Sequence, residues 1–335
     1  MLSSKEQDTL VIAHPGKGAA PARACFEIVL FYDAPRAELK AGLEQVVALC
    51  LDFLARRHAD APLGWYRTNT MSKSAALKSD PRTTFDGVLG GKAFVKPGIV
   101  GLHLHAGPKA TAMEAPSLEL LSLEFDEDED EDEDEDDEAE EGPVRQTFVR
   151  LCLPPSTQPE GRELFELAAA CAAAQSVYCG HAGYSWIWDS GDTTLGEAMG
   201  RHKALLIKRP AMGYHDPLTL HAAVGHGLIQ VGWLTLLGPA MAGQAQEAGP
   251  LQFGADSRVG QSTLPDGGVM LVAGPEPIVG SRDPADDGAM APYRAIGQRL
   301  AGLRMPDDIV EMLDMEGFDD DEVKLEWYLR FFGHR

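Results

Sequence analysis

The chain is short of basic residues: 29 Lys and Arg stand against 52 Asp and Glu, for a net charge of -23. A protein that grips a phosphate backbone needs a basic face, so nucleic acid is not expected as a partner. Cysteine is sparse as well. Cys25, Cys50, Cys152, Cys171 and Cys179 form an odd set of five with no C-x-x-C pair, which argues against a disulfide framework and for thiols kept reduced. Long apolar runs are missing: the longest fall well short of the roughly 20 residues that span a bilayer. The opening stretch MLSSKEQDTLVIAHPGKG holds no apolar segment of signal-peptide length. The expectation is a soluble cytoplasmic protein with no membrane partner.

Catalytic signatures are lacking too. There is no G-x-S-x-G elbow and no phosphate-binding G-x-x-x-x-G-K-[ST] loop. The string GKGAAPARA precedes the first strand candidate, where a phosphate loop would follow one. Asp192 with Glu197, and Asp283 with Asp286, can be drawn as acid/base pairs, but carboxylates at turns and helix starts serve more often as caps. His103 and His105 are two apart on a strand candidate, so both point to one face and can begin a zinc site. A third ligand would have to be His181, His202, His221 or His226. Without H-E-x-x-H or a cysteine pair, exposed or core-edge histidines are the better expectation. No catalytic residue, metal or cofactor is assigned, and the protein is read as a non-enzyme.

What the chain has in excess is acid in one place. Residues 126–141 are all Asp or Glu except Ala139, and without these 15 carboxylates the net charge is -8, ordinary for a soluble domain. Like charges at this density resist folding, so a solvated loop is the plain reading. The functional reading is an electrostatic lure for a basic partner, or an imitation of a phosphate backbone. The partner-binding candidates are Asp126, Glu127, Asp128, Glu129, Asp130, Glu131, Asp132, Glu133, Asp134, Glu135, Asp136, Asp137 and Glu138.

The remaining pattern is α+β, with a mixed sheet flanked by helices. CFEIVLFYD (25–33), GWYRT (64–68), GIVGLHLHAG (98–107), SLELLSLEF (117–125), TFVRLCLP (147–154), GYSWIWDS (183–190), GLIQVGWLTLLG (227–238) and GVMLVAGP (268–275) read as strands. Residues 36–58, 159–177, 193–208 and 292–304 read as helices, with a shorter one opening at Asp80-Pro81. Residues 244–267, rich in Gly, Gln and Ala, read as loop. The order strand, long helix, aromatic-ended strand occurs twice, in FEIVLFYD–helix–GWYRT and TFVRLCLP–helix–GYSWIWDS. Two related β-α-β halves, or mere recurrence of a common unit, both account for it. The expected organisation is an N-terminal arm (1–24), an α+β domain (25–304, with halves 25–125 and 143–304), the acidic insertion (126–142) and an acidic helical extension (305–335).

Three C-terminal segments carry a family likeness. GWLTLLGPAMA (232–242) resembles a strand bearing Trp-Leu-x-x-Leu-Gly that leads into a helix, VMLVAGPEPIVGSRD (269–283) a strand with a Gly-Pro-x-Pro turn, and APYRAIGQRLAGLR (291–304) a helix containing Tyr-Arg. In order and spacing the set resembles the TsiV-like type VI immunity family over roughly Cys25 to Arg304. Where that family has Gly-Asp in the turn, this chain has Gly280-Ser281-Arg282-Asp283. The resemblance implies a protein that binds and blocks a toxin delivered by a type VI secretion system, without catalysis. With no leader expected, the toxin would be one acting in the cytoplasm, a nuclease or other nucleotide-directed enzyme. The readings set against this are an enzyme using the histidine-bearing strand and an acidic binder of cations or polycations.

Overall fold

A computed structural model describes residues 10–12, 22–71, 73–107, 110, 114–125, 144–155, 161–188, 196–214, 216–221, 223–254, 257–283, 287–315 and 317–333. The strands are β1 (Val11–Ile12), β2 (Ala22–Tyr32), β3 (Trp65–Thr68), β4 (Ala75–Ala76), β5 (Gly98–Ala106), β6 (Glu114–Phe125), β7 (Val144–Leu153), β8 (Cys179–Trp188), β9 (Leu234–Leu237), β10 (Val259–Thr263) and β11 (Val269–Ala273). The helices are α1 (Arg36–Arg57), α2 (Pro81–Leu89), α3 (Gly161–Ala174), α4 (Gly196–Lys208), α5 (Pro217–His221), α6 (Pro239–Glu247), α7 (Asp287–Arg299), α8 (Asp307–Met312) and α9 (Asp321–Leu329). The fold is α+β.

One sheet runs in the order β10-β11-β9-β8-β2-β7-β6-β5-β3-β4, with β1 on β2. Its named strand pairs are antiparallel, and the parallel contact described is the isolated bridge Leu228–Arg304. The expected mixed sheet is thus antiparallel among the described strands. The helical crossovers return the chain to non-adjacent strands: α1 carries it from the central β2 to β3 near one edge, and α3 carries it from β7 past β2 to β8. The two strand–helix–strand units therefore deliver their second strands to unlike places, β3 near an edge and β8 beside β2.

Local chemistry sets several boundaries. Asp80 accepts from the Thr83 N–H at 3.2 Å, and Pro81 opens α2, the combination that satisfies orphan helix donors. The apolar spacing of α1 places Leu39, Leu43, Val46, Val47, Cys50 and Leu54 in the core. Two readings change. The strand expected over 227–238 is confined to Leu234–Leu237, because Gly232 and the Thr235 hydroxyl are engaged with each other at 3.2 and 3.4 Å. The stretch expected to be loop, 244–267, holds the end of α6 and all of β10; β10 is half-exposed and lies at the sheet's end, where Gly and Gln are tolerated.

Side-chain alternation gives the sheet two unlike faces. On one, Phe26, Ile28, Leu30, Leu118, Leu120, Val149 and Leu151 form a dry core under α1 and α3. The register puts Cys25, Glu27, His103, His105, Glu119, Arg150 and His181 on the other.

Candidate functional site

The second face begins with an ion pair in the centre of the sheet. Glu27 and Arg150 lie on adjacent strands, nearly devoid of solvent (1% and 6% exposed). Arg150 Nε donates to Glu27 Oε2 at 2.8 Å, and Arg150 Nη2 donates to the Trp186 carbonyl at 2.6 Å. His181 Nε2 approaches Glu27 Oε1 at 3.4 Å. Burial works to raise the Glu27 carboxyl, but Arg150 and His181 outweigh it and hold it below its ordinary value. Gly213 and Gln230 close over the pair: a Cβ on Gly213 would stand 3.1 Å from Glu27 Oε1 and 2.8 Å from Gln230 Nε2.

Cys25 and Cys152 sit beside this pair, and with Glu27 they put two sulfurs and a carboxylate oxygen within 4.8 Å of one another. The donor types suit a soft divalent metal. The electrostatics do not: Glu27 is already committed to Arg150, and a fixed guanidinium at 2.8 Å opposes a second cation. Burial raises the Cys25 thiol and its hydrogen bond with Cys152 raises it further, whereas for Cys152 burial is outweighed by that hydrogen bond and by Arg150, which lower its thiol.

His103 and His105 share a face as expected, with ring centroids 5.8 Å apart. His105 is fully buried and tied at both nitrogens, Nδ1 to the Ala106 carbonyl at 2.8 Å and Nε2 to the Ser74 hydroxyl at 3.0 Å. His103 is pushed down to about 3 by burial and by His105 and Arg150, so it is neutral. Among the described residues, His181 and His202 do not converge on them. His181 lies on β8, four strands from β5, or roughly 19 Å at about 4.8 Å per strand. His202 packs between Trp186 and Trp188 at 5.6 Å from each, and His226 is exposed. The His221 side chain lies outside the described residues, as do Asp192, Asp286 and the whole of 126–143. What is fixed is where that acidic stretch joins the sheet: it connects β6 to β7, whose last described pair is Phe125 with Val144.

Glu119 is a carboxylate that no sequence motif singles out. The ladder sets it directly between His103 and Arg150. Burial raises its carboxyl to about 7, against the pull of Arg150. Between about pH 4.5, its ordinary value, and pH 7 the folded chain keeps a proton that the unfolded chain has lost, so this group makes stability fall as pH rises through that window. Glu119→Gln should remove that slope, raising the urea midpoint relative to wild type near pH 8 and changing it little near pH 4. Equal shifts at both pH values would contradict this.

The TsiV family, described as "Type VI immunity for VRR-NUC", matches residues 114–331. This chain belongs to the TsiV family. No curated protein matches it. Among solved structures, the Pseudomonas aeruginosa T6SS protein PA0821 superposes with a TM-score of 0.71 at 16% identity, covering 95% of this chain and 85% of that one. At that identity the likeness shows a shared fold. Family membership makes the chain a type VI immunity protein. The matched segment includes β6 to β11, the acidic insertion, and α8 and α9; the last two, set apart in the sequence as an extension, fall inside it.

Proposed function

We propose that this protein binds and neutralises a VRR-NUC effector of a type VI secretion system, read as a cytoplasmic nuclease, by direct contact and without catalysis of its own. The observation that carries the proposal is the match over residues 114–331 to a family described by that effector class. The test is a titration of effector activity with purified protein. Neutralisation should end at a fixed stoichiometric ratio; full protection by a small catalytic fraction of the protein would point to an enzyme instead.

The contact we assign to the acidic run follows from the effector's chemistry. An enzyme that holds nucleic acid needs a basic groove, and Asp126 to Glu138 lie in a run of carboxylates joined to the sheet at β6 and β7. Their attraction reaches about one Debye length, roughly 8 Å at physiological salt, and steering of this kind raises association rates by roughly 10–10³-fold. Replacing residues 126–141 with a short Gly-Ser linker should leave melting nearly unchanged, slow effector association at low salt and matter little at high salt. Stopped-flow rates across a salt series decide the matter; coincident curves for the two proteins would remove the steering role.

A further inference from the structure

The sheet face that carries Glu27 and Arg150 is closed near β2 and β8 but opens toward β3 and the far ends of β5 and β6, where Trp65, Arg67, Leu121 and Leu123 are only half-buried. At one end this open face turns apolar. Ile99 lies directly opposite Leu123, and Phe125 directly opposite Val144. By alternation all four side chains share the face, forming a continuous strip across three strands. Val95, in the short 3-10 turn Lys92–Val95, sits just before β5 at the same end. Five large apolar side chains are exposed among the described residues, and four of them are here: Val95 (60%), Ile99 (48%), Phe125 (40%) and Val144 (38%). The fifth, Met312, is on α8.

A contiguous apolar patch on an otherwise charged protein costs solubility unless something covers it. Its position suggests what does. Phe125 and Val144 are the residues from which the acidic segment departs and to which it returns. A partner drawn in by that charge must present basic residues around whatever sits on the strip. This is the arrangement of a binding hot spot, an aromatic anchor inside a polar rim. We infer that Ile99, Leu123, Phe125 and Val144 form the anchoring surface for the effector, and that they receive an apolar projection of it bordered by Lys and Arg.

This inference rests on the proposed function and divides the labour of binding: charge sets the rate of arrival, and the strip sets the rate of departure. The experiment compares wild type, the Ile99→Ser/Phe125→Ser double variant and a Met312→Ser control against the purified effector, by surface plasmon resonance and by melting. The double variant should melt as wild type does, because both side chains already face solvent. It should bind at least about 30-fold more weakly, mainly through faster dissociation, while Met312→Ser binds normally. Unchanged affinity of the double variant beside a binding wild type overturns the anchoring surface alone. A wild type that does not bind the effector at all overturns the proposed function along with it. A wild-type dimer that the double variant abolishes would assign the strip to a second copy of this chain and likewise overturn the inference.

Discussion

Arg150→Met should destabilise the protein by about 3–5 kcal/mol, the range found when one partner of a buried ion pair is removed. The reason lies with the residue left behind. Glu27 is 1% exposed, and without Arg150 it loses the donor at 2.8 Å that justifies its charge. His181, at 3.4 Å, offers only a longer contact in its place. Glu27 is held ionised by its partners, so the pair's contribution is present above the ordinary carboxylate range and is lost as pH falls through the lowered folded value. The double variant Glu27→Gln/Arg150→Met should recover much of the loss, because it leaves no buried charge. Urea unfolding of the three variants tests this. A single variant within about 1 kcal/mol of wild type would mean that solvent reaches the pair.

Trp233→Ala should cost a comparable amount, about 3–5 kcal/mol, for an unrelated reason. Trp233 is 2% exposed, meets Phe26 edge-to-face with centroids 6.0 Å apart and donates from Nε1 to the Gly274 carbonyl at 3.1 Å. Gly161, at the start of α3, comes so close that a Cβ there would lie 3.1 Å from the indole. The ring thus fills the junction between β2, α3 and the turn after β11. Truncation leaves a cavity lined by backbone, which relaxes poorly. Either loss is a large share of a typical domain's 5–15 kcal/mol. An unchanged melting temperature for Trp233→Ala would place the ring outside this junction.

These two residues differ in how far the sequence revealed them. Trp233 sits in an apolar run with Leu234, Leu236 and Leu237, and local pattern alone marks it as core. Most long elements were legible in that way, as helical spacing in α1 and as alternation in β5 and β6. The ion pair was half-visible: Glu27 and Arg150 are lone charges within the apolar strings CFEIVLFY and TFVRLCL, and a buried charge needs a counter-charge. That they meet was not legible, because 123 residues separate them. Glu119 was hidden for the opposite reason, since SLELLSLEF alternates as an ordinary half-solvated strand would. The apolar strip is not legible in the sequence because its members come from three strands, and each is ordinary alone.

The position of β2 has a consequence for the timing of assembly. This strand is made early, yet both its long neighbours, β7 and β8, are encoded more than a hundred residues later. Until β7 leaves the ribosome β2 has two vacant edges, and one remains until β8 follows; closure depends on contacts of high sequence separation, which form slowly. An immunity protein built in this way assembles its central sheet from strands far apart in the chain. The centre of the sheet is complete only once β8 is made, past the middle of the chain.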